Sequence, residues 1–330
     1  MFGMSTETTH AAAVQRHAGW MRRDEAIMGT AISVELWCDD ALAGRSAIEA
    51  VMQEMHRIDR TMSPHKSDSE LSRINRDAPH AAVPVSVEMA RLLARANDFS
   101  QLSGGAFDIT YAAVGQLYDY RRRIKPSDAQ LAQARANVGY RHLALDMRAR
   151  TVRFAKPGMR IDLGGFAKGH AVDNAAIILR HRGIRHAIVS AGGDSRVIGD
   201  RRGRPWTIGV RDPRRAGEMA AVLPLEDTSI STSGDYERYF DDADGVRCHH
   251  LIDPATGRSP SSVRSVTILA EDGLTTEALS KSVFVLGVEK GMRLIESQRG
   301  VDAVVVDAGG ALHYSSGLLA PAPAAAAAQR

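Results

Sequence analysis

Cysteine is nearly absent from this chain, with two in 330 residues, Cys38 and Cys248. Such a pair makes no disulfide framework and has no metal-ligand spacing. A reducing compartment is then the default. Charge of one sign is also scarce. The net charge is +3, too small to imply a nucleic-acid partner. The arginine runs at 121–123 and 201–202 sit beside turn residues and are expected to be solvated loops. No apolar run reaches the length that spans a bilayer, so no membrane insertion is expected. The start shows no apolar signal segment and no lipidation cysteine. That points to the cytoplasm, or to the periplasm if the true start lies upstream.

What remains is an ordinary globular composition, 44% hydrophobic and 25% charged. The length suits one large domain or two smaller ones. Residues 1–25 mix alanine with charged and polar residues and are expected to be a disordered leader. The low-complexity end, residues 320–330, is expected to be a disordered Ala/Pro tail. The working domain is then 26–319.

Within it, MGTAISVELW from Met28 alternates as a strand does. Ala41 to Met62 has helical spacing, with Ala47, Val51, Met55 and Ile58 on one stripe. Ser86 to Leu102 predicts a second helix capped by Ser86. Pro126 to Val138 predicts a third, capped by Ser127 or Asp128. Strands are expected at His142 to Asp146 and Thr151 to Phe154. A helix follows from Ala167 to Arg182, stopped by Gly183. Further strands are expected at His186 to Ser190, Trp206 to Val210, Val263 to Ala270 and Val301 to Val306, with a helix at Thr276 to Leu286. Strands and helices interleave without a βαβ cadence, which predicts an α+β fold with mixed or antiparallel sheets. AIVSAGGD from Ala187 echoes VVVDAGGA from Val304. An internal duplication and chance both account for the echo.

The stretch IDLGGFAKGHAVD, Ile161 to Asp173, holds the most chemistry. An apolar run ends in Asp162, two glycines follow, and Lys168 opens a helical pattern. Glycines admit a ligand close to the backbone. A lysine beside exposed amides at a helix start suits phosphate. The stretch matches neither GxxxxGK[ST] nor GxGxxG, and an ordinary strand–turn–helix corner explains it equally well. In HHLIDPATG, His250 can act as a base near neutral pH and Asp253 can orient it. A histidine in a tight turn with an Asp-Pro starter is the plainer reading. Phe107 can stack on a planar ring or simply fill core. Glu277 and Lys281 lie four residues apart on one helix face, in the favourable order for an ion pair.

These segments together resemble the FAD:protein FMN transferase family of the ApbE type. The matching pieces run in the family's order: MGT at Met28, SELSRIN at Ser69, GGAFDIT at Gly104, IDLGGFAKGHAVD at Ile161, AGGD at Ala191, TSGDYER at Thr232, HLIDPATG at His250 and EALSKSVFVLG at Glu277. The resemblance implies a single α+β domain that binds FAD and cleaves its pyrophosphate. FMN passes to a Thr or Ser hydroxyl of a client protein, and AMP leaves. It implies that Met28, Ala106, Phe107, Asp108, Asp162 and Lys168 contact the flavin nucleotide. It places His250 near the reacting centre, with His250 or Asp253 taking the acceptor proton. It implies Mg²⁺, with the Gly165 carbonyl and the residues at 277 and 281 as its ligand positions.

The chain departs from the family at three points. Glu277 and Lys281 stand where an aspartate and a threonine are usual. An ammonium cannot coordinate a cation, so Lys281 is expected to fill the metal's place and pair with Glu277. His65 stands near a position where many members carry a stacking aromatic. The export signal is missing. Two alternatives to transfer therefore stay open. One is an FAD-binding protein without transferase activity, and the other a pyrophosphatase that gives FMN to water.

Overall fold

The computed structural model describes residues 18–215 and 217–319. The tail, and the leader up to residue 17, lie outside the described residues. The rest of the leader does not behave as expected. Gly19–Ile27 is a full strand, paired antiparallel to Thr30–Cys38 from Gly19 opposite Cys38 to Ile27 opposite Thr30. Its charged residues misled the reading because they lie on an outer strand, where Arg22, Arg23 and Asp24 face solvent.

That hairpin opens an eight-stranded sheet. Next to Thr30–Cys38 come Ala187–Ala191, Asp194–Ile198, Ser229–Gly234, Val263–Ala270, Asp302–Asp307 and Leu312–Tyr314, in that spatial order. Every neighbouring pair runs antiparallel. The α+β expectation holds. A small sheet of Val83–Pro84, Thr151–Phe154 and Leu143–Asp146 stands apart. Each half of the AGGD/AGGA echo is an antiparallel hairpin, one joining Ala187–Ala191 to Asp194–Ile198 and the other Asp302–Asp307 to Leu312–Tyr314.

Alternation explains the core. Ile32, Val34 and Leu36 are fully buried on one face of their strand. Three helices cover that face: Ala41–Met62, Ala167–His181 and Gly273–Glu296. The first has the expected bounds, and its stripe of Ala47, Val51, Met55 and Ile58 is 0% exposed. The opposite face carries the Trp206–Arg211 and Met219–Leu225 hairpin over Val197, Ile230 and Leu269.

Caps set the helix ends. Ser86 Oγ accepts from Met89 N at 3.1 Å, and Ser127 forms a capping box with Gln130. The Ser127 helix is shorter than expected, Asp128–Arg135. The last large helix is longer than expected because Asp272 caps it at Thr275 N, 2.8 Å. It continues past a kink at Gly287, whose φ is 78°. Glycine alone adopts that angle cheaply, and the chain then resumes helix to bury Ile295.

Candidate functional site

The site forms where the helices Ala167–His181 and Gly273–Glu296 cross under the sheet. Glycine permits the crossing. A Cβ on Gly169 would overlap the backbone carbonyl of Gly273. Asp173 ties the two together from below, accepting from Gly273 N at 2.8 and 2.9 Å and from Leu274 N at 3.2 Å. This close approach brings Lys168 against Glu277, with Nζ 2.5 Å from Oε1. Glu277 Oε2 accepts from Gly169 N at 2.7 Å.

Lys168 is shared. Its ammonium also pairs with Asp194, the first residue of the strand after the Gly192–Gly193 turn. Asp194 faces Ser231 across the sheet, and Ser231 Oγ donates to Asp194 Oδ1 at 2.6 Å. Ser280 Oγ lies 3.2 Å from Ser231 Oγ and 2.9 Å from Ser233 Oγ. Lys281 completes the group, with Nζ 3.4 Å from Glu277 Oε1 and its stem running along Gly165. Two ammoniums and two carboxylates thus form one buried, charge-balanced quartet. Glu277 is 0% exposed and Asp194 2%.

The electrostatics follow from burial and partners. Burial opposes the charge on Lys168, but Asp194 and Glu277 overcome it and hold the ammonium above its ordinary pKa. Burial would raise Asp194, and the two lysines outweigh it and hold it low. Lys281 is pulled below its ordinary value, because burial outweighs Glu277 and Asp194.

His250 feels the charge of both lysines of this quartet. Burial, His249, Lys281, Arg238 and Lys168 all push its pKa down, to about 3. Its Nδ1 is buried with no hydrogen-bond partner. It is therefore a neutral imidazole at ordinary pH. Arg238 comes from the loop after Gly234. It donates to Gly29 O at 3.2 Å and accepts His250 N on its own carbonyl at 3.1 Å. Among the described residues it makes no ion pair, unlike both lysines.

The remaining expected residues divide. Met28 and Gly29 are the turn between the first two strands rather than strand itself, with φ of 54° and 68°. A left-handed methionine is unusual, and such exceptions gather at functional turns. Asp162 is near this group, since it acts on the Tyr111 hydroxyl together with Arg238 and Glu277. Its Oδ1 accepts from Gly164 N at 2.5 Å, and burial raises its pKa against the opposing charges of His65 and Arg160. His65 is exposed there. Tyr111 belongs here too, its hydroxyl pKa raised by the charge of Asp162 first and by burial second.

Four of the expected residues are engaged by other partners in the fold. Phe107 is 5% exposed and packs on Phe99 and Phe166, centroids 6.3 and 5.5 Å away. Its ring is core and offers no stacking face. Asp108 spends its carboxylate on Thr110 N (2.8 Å), Thr110 Oγ1 (2.6 Å) and Tyr140 N (2.7 Å). It holds the loop around half-exposed Ala106. Asp253 accepts from Ala255 N at 2.8 Å and shapes its own turn. No hydrogen bond joins it to His250 among the described residues. Lys168 was read as an open phosphate seat, and its ammonium is instead taken by two carboxylates. Sequence reasoning passed over Asp194, Arg238 and Tyr111, although AGGD and TSGDYER had been noted as motifs.

The donor set does not suit the implied magnesium ion. Magnesium wants an octahedron of oxygens and several waters. Both Glu277 oxygens already serve Lys168, Lys281 and Gly169. The third ligand position holds an ammonium. Among the described residues no group of three or more His, Cys, Asp or Glu converges to hold a metal.

Comparison with known proteins agrees with this architecture. A family model described as ApbE family matches residues 28–305. A Treponema pallidum protein named FAD:protein FMN transferase is 33% identical over 90% of this chain and 87% of its own length. The crystal structure of the ApbE protein of Thermotoga maritima superposes with TM-score 0.84 and 34% identity, over 91% of this chain and 98% of that one. Flavin transferase ApbE from Vibrio cholerae gives TM-score 0.81 at 28% identity, again over 91% and 98%. The chain belongs to the ApbE family.

Proposed function

We infer that this chain moves FMN from FAD to a Thr or Ser hydroxyl of a client protein and releases AMP. The membership just established supports this reading. The observation that carries it is a neutral His250, its buried Nδ1 without a hydrogen-bond partner, near Arg238 and the ammoniums of Lys168 and Lys281. That pairing of a base with fixed positive charge is what opening a pyrophosphate requires.

In the step, the client hydroxyl oxygen forms a bond to the FMN-side phosphorus of FAD. The bond from that phosphorus to the bridging oxygen breaks, and the bridging oxygen leaves with AMP. The hydroxyl proton passes to His250, which its low pKa leaves unprotonated in the free chain. Anionic FAD offsets the surrounding positive charge and raises its basicity when bound. Arg238 supplies the unneutralised cation for the phosphates. The Met28–Gly29 turn, Ala106, Asp162 and His65 line the nucleotide. The fixed charges are aimed before substrate arrives, so they cost no reorganisation during the step.

The test mixes the chain with FAD and a client bearing an acceptor threonine. The client should become covalently yellow. Free FMN without labelled client would instead mean transfer to water. No change in FAD would leave a binding protein.

A further inference from the structure

Resting on that reading, we propose that Lys281 is a built-in cation for the transferred phosphates, so that this chain binds and processes FAD without a divalent metal. The geometry places the Lys281 stem on Gly165 and its Nζ 3.4 Å from Glu277 Oε1. Gly165 thus lies against the Lys281 stem, whose ammonium ends beside Glu277.

The quartet argues that this ammonium stays. Glu277 is fully buried, and its oxygens are spoken for by Lys168, Lys281 and Gly169 N. The side chain of Lys281 is 18% exposed, so part of it remains open to solvent. Lys168, by contrast, is held between Asp194 and Glu277. A divalent ion entering here would meet two ammoniums and a Glu277 carboxylate already engaged by Lys168, Lys281 and Gly169 N. The like-charge repulsion exceeds what a single backbone carbonyl returns. Lys281 can serve the same end without an ion. Its Nζ is already positioned by Glu277.

The proposal predicts metal-insensitive binding as well as metal-insensitive transfer, so binding of FAD to the unmodified chain tests it without a turnover assay. FAD dissociation constants are measured by flavin fluorescence in EDTA and in Mg²⁺. They should agree within about twofold. Lys281→Met should raise the constant about tenfold or more in either buffer, as expected when a phosphate-facing charge is lost. Lys281→Arg, which keeps the charge, should recover part of it. Melting curves of the FAD-free proteins confirm that each variant folds.

Mg²⁺ tightening FAD more than about tenfold in the unmodified chain would overturn the proposal. So would a folded Lys281→Met protein that binds FAD unchanged. If FAD binds as expected but no client is labelled, the transfer reading fails and the built-in cation stands. If transfer occurs only with Mg²⁺, the cation reading fails and transfer stands.

Discussion

Replacing Asp194 with asparagine keeps the shape of the quartet and removes one of its two negative charges. Lys168 then shares Glu277 with Lys281, and a positive charge is left buried without a partner. Breaking a buried pair in this way costs about 3–5 kcal/mol. The upper end has a physical cap. Lys281 can shed its proton, and doing so at pH 7 from an ordinary lysine pKa costs at most about 5 kcal/mol. Burial already pulls Lys281 low, so the true cap is smaller. At about 2–4 °C per kcal/mol for a chain of this size class, the melting temperature should fall by about 10 °C. The loss carries a pH signature. A lysine whose folded pKa is depressed contributes stability above its unfolded pKa and loses it as pH falls through the folded value. The deficit of Asp194→Asn should therefore shrink as pH rises toward 10. Lys281→Met restores neutrality, so the double variant should be more stable than the sum of the two single losses by about 2 kcal/mol. Urea melts of the FAD-free proteins measure all four corners of the cycle. Additive losses with no pH dependence would refute the charge-balanced quartet.

Four further outcomes are expected. The free-enzyme acid limb of kcat/KM from His250 should lie far below 6.5, because its folded pKa is near 3; a limb near 6.5 that vanishes in His250→Ala would contradict the site electrostatics. His250→Ala itself should slow transfer roughly 10²-fold with FAD still bound. Arg238→Gln should weaken FAD about tenfold by fluorescence titration, since among the described residues the Arg238 guanidinium has no ion-pair partner and donates only to Gly29 O; unchanged binding would remove it from the site. Gly169→Ala should cost about 1–3 kcal/mol in a thermal melt, because its Cβ collides with the Gly273 carbonyl. Gly165→Ala is the control, as its Cβ would make only an ordinary 3.5 Å contact with Lys281 Cε.

What could be read from the sequence was local. Ser86 and Ser127 mark helix starts because a side-chain oxygen satisfies an amide a few residues on. The 41–62 helix shows in its apolar spacing. Glu277 and Lys281 meet because they lie one turn apart. The sequence is silent where a distant partner decides. Lys168 looks like an open cation until Asp194 and Glu277, 26 and 109 residues away, are folded onto it. Phe107 and Asp108 sit in a motif that implies ligand contact, yet one fills core and the other ties Thr110 to Tyr140. The strand at Gly19–Ile27 was hidden because pairing with Thr30–Cys38, not its own propensity, makes it a strand. Met28 broke a local rule, since few non-glycine residues take a left-handed turn position, and that exception lies at the site.

The most direct test of the central claim is the fate of both halves of FAD in one reaction. The chain is incubated with FAD and an acceptor-threonine client. AMP is then quantified by chromatography, and client-bound FMN by intact mass. The account requires AMP and flavinylated client in equal amounts, both abolished when the acceptor threonine is changed to alanine. AMP released with free FMN, at a rate indifferent to that threonine, would contradict it.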